Sequence, residues 1–123
     1  MPVFREKSDK LNLILSNGSN DVKIKVDCYY GTQVSVSFYH KSLVTLSCGN
    51  TKKIENSNSL KGKSITFNGA ANNPNGGQIK IIHTIWEENG NSIEYAIPED
   101  FSGEIAWDSN NINPSYEFQV NFI

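Results

Sequence analysis

The sequence predicts an all-β chain: a two-sheet antiparallel β-sandwich of about nine strands, with jelly-roll or immunoglobulin-like connectivity left open. Three observations point there. Segment after segment alternates apolar and polar residues with period two, the spacing of a strand with one dry face. Asparagine fills 16 positions, and four Asn-Gly pairs (17–18, 68–69, 75–76, 89–90) are turn signals. No window carries helical periodicity, and the first ten residues offer the only candidate helical turn. A chain of 123 residues makes one domain, 1–123, large enough for a core.

The elements follow in order. Leu11 to Ser16 reads as a first strand. Asp21 to Tyr29 is the clearest, with Val22, Ile24, Val26 and Cys28 on the dry side. Val34, Val36 and Phe38 repeat the pattern, then Val44, Leu46 and Cys48. Opposite residues in a strand pair share a face. Pairing 26 with 34, 24 with 36 and 22 with 38 respects this, and leaves Tyr29-Tyr30-Gly31 as a tight loop with Gly31 at a positive φ. A second hairpin pairs 34 with 48, 36 with 46 and 38 with 44, around His40-Lys41-Ser42. Further strands are expected at 63–68, 78–87, 91–97, 103–108 and 115–123, with Ile65, Phe67, Ile93, Tyr95, Ile97, Ile105, Trp107, Tyr116, Phe118, Val120 and Phe122 inward. Residues 70–77 and 109–114 read as Asn-rich loops.

That meander bears on the two cysteines. Cys28 and Cys48 then flank the middle strand, about 10 Å apart. A disulfide needs Cα atoms within about 7 Å, so the expectation is two free, buried thiols.

Charge excludes one function class. Eleven basic residues against thirteen acidic ones give a net charge of −2, and no basic run extends beyond Lys52-Lys53, so no nucleic acid partner is expected. No apolar stretch reaches the length of a transmembrane segment. Residues 1–7 show no signal-peptide core, which fits a cytoplasmic chain, a signal-independent export route or a mature form.

The chemistry of a site is sparse. A Cys–His nucleophile has no support beyond residue type. Asp108-Ser109-Asn110-Asn111-Ile112 opens like a calcium loop but places Ile112 at a ligand position. Glu87-Glu88 and Glu99-Asp100 are adjacent pairs whose side chains diverge in a strand. No zinc spacing, phosphate loop or nucleophile elbow occurs. The expectation is no enzyme, no metal and no cofactor. His83 falls on the dry face of Ile79, Ile81 and Ile85, as a core-edge histidine bonded to backbone or a residue turned out by a bulge; His40 sits in a turn, in water.

Some aromatics do not fit the core. Tyr29 and Tyr30 lie at a loop tip, Tyr39 on a wet face, and Trp86 on the face of Lys80 and Thr84. With Asn72, Asn73, Asn110 and Asn111 in the nearby loops, these are the candidate binding residues. They suit a protein interface, giving a binding or assembly module with a protein partner or self-association through a strand edge. The alternative is a carbohydrate-binding, lectin-like surface. A second alternative is a toxin-like sandwich at a membrane surface, against which stands the lack of a basic cluster or amphipathic helix.

Overall fold

The computed structural model describes residues 8–74, 78–97, 105–106 and 115–123. Its strands are β1 (Ser8–Leu13), β2 (Asp21–Tyr29), β3 (Gln33–His40), β4 (Ser42–Ser47), β5 (Thr51–Asn56), β6 (Ser64–Asn72), β7 (Gln78–Glu87), β8 (Ser92–Ile97), β9 (Ile105–Ala106) and β10 (Ser115–Phe122), with one helical turn, α1 (Ser57–Leu60). One sheet has the order β1-β10-β6-β3-β4 and the other β5-β2-β7-β8, with the short β9 paired to β7. The pairs are antiparallel except β1 with β10. The chain is a two-layer β-sandwich.

The core lies between the layers because every long strand turns its apolar set inward. Phe38, Phe67 and Phe118 oppose one another across β3, β6 and β10, with ring centroids 5.1 and 5.0 Å apart. From the facing sheet, Tyr95 stacks on Phe118 at 4.3 Å. Burying one such ring contributes roughly 2–3 kcal/mol, and the Tyr95–Phe118 stack joins this ladder to the facing sheet.

Residues 21–48 are not three neighbouring strands. β2 belongs to the second sheet, between β5 and β7, while β3 belongs to the first, between β6 and β4. The pairing of 22–26 with 34–38 is therefore wrong. The hairpin of β3 and β4 is as expected: Val36 opposes Leu46 and Phe38 opposes Val44. After β4 the chain crosses back, and the amide of Gly49 donates to the Val26 carbonyl at 2.7 Å. Both crossings lie at one end of the sandwich, which brings Cys28 and Cys48 together. Their Cα atoms are 5.6 Å apart and their sulfurs are bonded. The expectation of free thiols is overturned because the strands that carry them stand in opposite sheets.

Three other expectations change. β5 was not foreseen: Ile54 is its sole buried apolar residue, and a register shift between Val22 and Lys23 breaks its alternation. The helical turn falls at α1, whereas residues 8–10 are strand. Asn68-Gly69 is not a turn but the middle of β6. There Gly69 opposes Tyr116, and the tyrosine ring lies where a Cβ on Gly69 would be. The Asn89-Gly90 turn is present, with Asn89 at φ 61°. Trp107 and the 109–114 loop lie outside the described residues.

Candidate functional site

The residues singled out from sequence separate into three places. Tyr29, Tyr30, Asn72 and Asn73 meet at the disulfide end. Tyr39 lies on the outer face of the first sheet, about 20 Å along β3 from that end. Trp86 is half-buried on the outer face of the second sheet, between Lys23 and Ser92. Asn110 and Asn111 lie outside the described residues.

At the disulfide end the chain turns from β2 to β3 in four residues. The Thr32 amide donates to the Tyr29 carbonyl at 3.0 Å, and the two central residues have positive φ, Tyr30 at 59° and Gly31 at 76°. That is the φ signature of a type I′ turn, whose first central position favours Asn or Gly. A tyrosine there costs roughly 1 kcal/mol. Buried polar side chains hold the turn. Thr32 donates through its hydroxyl to the Tyr29 carbonyl at 2.6 Å and accepts from the Lys80 amide at 3.1 Å. Asn73 donates through its amide to the Tyr30 carbonyl at 2.9 Å. Both are 4% exposed. The sulfur of Cys48 lies 3.3 Å from the Thr32 carbonyl. The two tyrosine rings stand out from this scaffold, 43% and 59% exposed, and the Lys80 ammonium is 5.7 Å from each ring centroid. Lys80 was not foreseen, because its place opposite Tyr29 follows from the β2–β7 register.

The second place is the edge at β4, which among the described residues pairs with β3 alone. Tyr39 opposes Leu43 across β3 and β4, and each is 69% exposed. Leu43 was also missed, since it falls out of phase with Val44 and Leu46. Around this pair the outer face carries Ser37 and Thr45, whose hydroxyls are 3.4 Å apart.

The two histidines differ. His83 is fully buried. Its Nδ1 is 2.8 Å from the Tyr95 carbonyl and its Nε2 is 2.6 Å from the Tyr116 hydroxyl. A carbonyl only accepts, so Nδ1 carries the proton and Nε2 accepts from Tyr116. Burial holds the imidazole pKa down at about 4, against a smaller upward push from the Tyr95 carbonyl, and burial pushes the Tyr116 phenol up. This is the backbone-bonded core histidine the alternation suggests. His40 is a correction: its side chain is 12% exposed and Nε2 lies 3.5 Å from Glu55 Oε2. Lys41 takes the same oxygen at 2.7 Å, so that oxygen is engaged in tying the β3–β4 hairpin to β5. Among the described residues no group of three or more His, Cys, Asp or Glu side chains converges as a metal would need.

Two carboxylates are held low. The Lys41 hydrogen bond and the Asn56 amide hold Glu55 at about 2. Burial alone would raise Glu87, but hydrogen bonds from Ser16, Ser57 and Asn20 outweigh it and leave it at about 2; the Ser16 hydroxyl donates at 2.6 Å. All three groups have folded pKa values below their unfolded ones, so each favours folding above its unfolded value and loses that contribution on acidification. His83 acts first, between about pH 6.5 and 4, and is worth up to about 3 kcal/mol. Glu55 and Glu87 follow between about pH 4.5 and 2. Urea midpoints measured from pH 7 downward should already fall before pH 5, and the His83→Phe/Tyr116→Phe pair should lack that first decline. A flat midpoint from pH 7 to 5 in the unaltered chain contradicts the assignment.

No helix among the described residues is long and apolar enough to cross a membrane. Comparison with protein-family models, with curated proteins and with solved structures found no match for the chain.

Proposed function

We propose that the chain is an assembly module that pairs with a second copy of itself along β4. The observation that carries this is the contrast between β4 and the other outer strands. An exposed strand edge is a template for another chain, and natural proteins guard it with charge, bulges or proline. β5 carries Lys52, Lys53 and Glu55 and a register shift. β1 carries Lys10, and β8 carries Glu94. β4 reads Ser-Leu-Val-Thr-Leu-Ser, with no charge, no proline and two β-branched residues, at the end of its sheet. Leu43 and Tyr39 stand exposed beside it.

A second copy is the fitting occupant. Antiparallel pairing of one strand with itself is two-fold symmetric and self-complementary. It joins the two five-stranded sheets into one and sets the Tyr39–Leu43 pairs of both copies on a shared outer face. With no charge on β4, nothing there selects an oppositely charged partner. The disulfide fits an oxidising compartment.

Thr45 points outward on this edge and is exposed, so Thr45→Lys adds a guard without disturbing the core. Sedimentation equilibrium of the unaltered chain should give a dimer at micromolar concentration, and Thr45→Lys should weaken it by about a hundredfold, at roughly 1 kcal/mol per like-charge contact and per lost apolar contact on each copy. A unaltered chain that stays monomeric at high micromolar concentration overturns the proposal, as does a dimer indifferent to Thr45→Lys.

A further inference from the structure

Asn17-Gly18-Ser19 has the form of an N-glycosylation acceptor: asparagine, one residue other than proline, then serine. It is the one such triplet among the 16 asparagines, because proline spoils Asn113-Pro114-Ser115. All three of its residues are exposed, in the loop between β1 and β2. The Asn17 Oδ1 accepts from the Lys61 ammonium at 2.7 Å. Its Nδ2, the atom that would take a sugar, has no hydrogen bond among the described residues. The Ser19 hydroxyl reaches Asn58 Oδ1 at 3.3 Å on the surface. Neither side chain is spent on the core.

The topology keeps this segment open while the chain is made. Among the described residues β1 pairs with β10 alone, and β2 pairs with β5 and β7. Neither strand beside the triplet finds its neighbours until later strands exist, and β1 waits for Ser115–Phe122. That wait is about a hundred residues, or roughly 5–20 s of synthesis, in which Asn17 stays in extended chain that a transferase can grip. The Cys28–Cys48 bond fits an oxidising compartment, the setting in which such transfer takes place. The folded end also has a seat for the first sugar. Ile123 makes main-chain hydrogen bonds to Leu13 and Leu15, which sets it beside Ile14 on one face, and the two are 52% and 61% exposed. Ile14 is at most about 10 Å of chain from Asn17, within reach of a sugar C–H face. We infer that Asn17 carries an N-linked glycan, taken from a lipid-linked oligosaccharide. Nδ2 displaces a polyprenyl pyrophosphate from the anomeric carbon of the donor sugar. A C–N bond forms, the C–O bond to pyrophosphate breaks, and the amide gives up one proton. β1 lies at the opposite edge of its sheet from β4, so the glycan leaves self-pairing along β4 free.

The test is the intact mass of the disulfide-bonded chain, both from its own source and secreted from eukaryotic cells behind a cleavable signal. Each should exceed the polypeptide mass by one glycan, as a family of sugar compositions. Peptide N-glycosidase should collapse that family to a single mass, with Asn17 converted to aspartate in the peptide that contains it. In the secreting cells Asn17→Gln and Ser19→Ala should each lose the whole glycan mass and melt at the temperature of the enzymatically stripped chain. Ser19→Thr, which keeps the hydroxyl, should keep the glycan. A bare polypeptide mass from either source overturns the inference. So do a glycan that maps to another residue, an Asn17→Gln chain that remains as heavy as its parent, and a Ser19→Thr chain without sugar.

Discussion

Replacing Cys28 and Cys48 with serine should lower the free energy of unfolding by about 3 kcal/mol. The bond closes a loop across a sequence separation of 20, and a loop of that size removes chain entropy of this order from the unfolded state. The location adds to the effect. β2 and β3 leave each other for opposite sheets at Tyr29, and β4 and β5 do the same around Gly49, whose amide bonds Val26. The bridge clasps both crossings, so its loss loosens the end that carries Tyr29 and Tyr30. Reduction of the unaltered chain should lower the urea midpoint by as much as the double serine variant does. Thiol titration in denaturant without reductant should find no free thiol; two free thiols per chain, or a double serine variant as stable as the parent, contradict the two-sheet crossing.

Gly69→Ala is the second large effect, also about 3 kcal/mol. The Tyr116 ring crosses Gly69 so closely that a Cβ there would overlap it. The ring cannot step aside freely. It is 6% exposed, packs edge-on against His83 at 5.3 Å and donates its hydroxyl to His83 Nε2. Overpacking costs roughly 1–3 kcal/mol, and an orphaned buried imidazole nitrogen roughly 1–3 more. In a Tyr116→Val background the same glycine substitution should cost less than about 1 kcal/mol, because the ring that opposes it is gone. Equal costs in the two backgrounds would show that Gly69 serves its backbone alone.

These residues show where sequence reading stops. Period-two alternation places Val22, Val36, Phe67, Tyr95 and Phe118 in a core correctly, because a strand has only two faces. It does not say which strands pair. Tyr30-Gly31 is the turn of a hairpin by its local chemistry, and the same four residues can carry the chain across the sandwich. The inward faces match in either arrangement, so only long-range pairing of β2 with β7 decides. Asn68-Gly69 fails for a related reason: glycine marks a close approach as well as a turn, and the approaching ring is 47 residues away in sequence. β5 was hidden because one isoleucine and a register shift leave no alternation to see.

The candidate site was legible in part. Tyr29, Tyr30 and Tyr39 were singled out because they fall off the dry faces, and all three are exposed. Asn73 reached the right place for a different purpose, since its amide is spent on the Tyr30 carbonyl. Trp86 lies on the outer face, as its phase implies, yet half-buried between its neighbours. Lys80 and Leu43 matter through what stands opposite them, which is a property of register and not of local sequence. The contrast among edge strands, by comparison, could be read once the strand order was known.

Amide hydrogen exchange followed at rising protein concentration reads the proposed contact strand by strand. Amides of β4 that point away from β3 should gain protection as concentration increases, while those on the outer sides of β5 and β8 stay unchanged. Protection at β4 that is the same in dilute and concentrated samples would leave the chain without its partner strand.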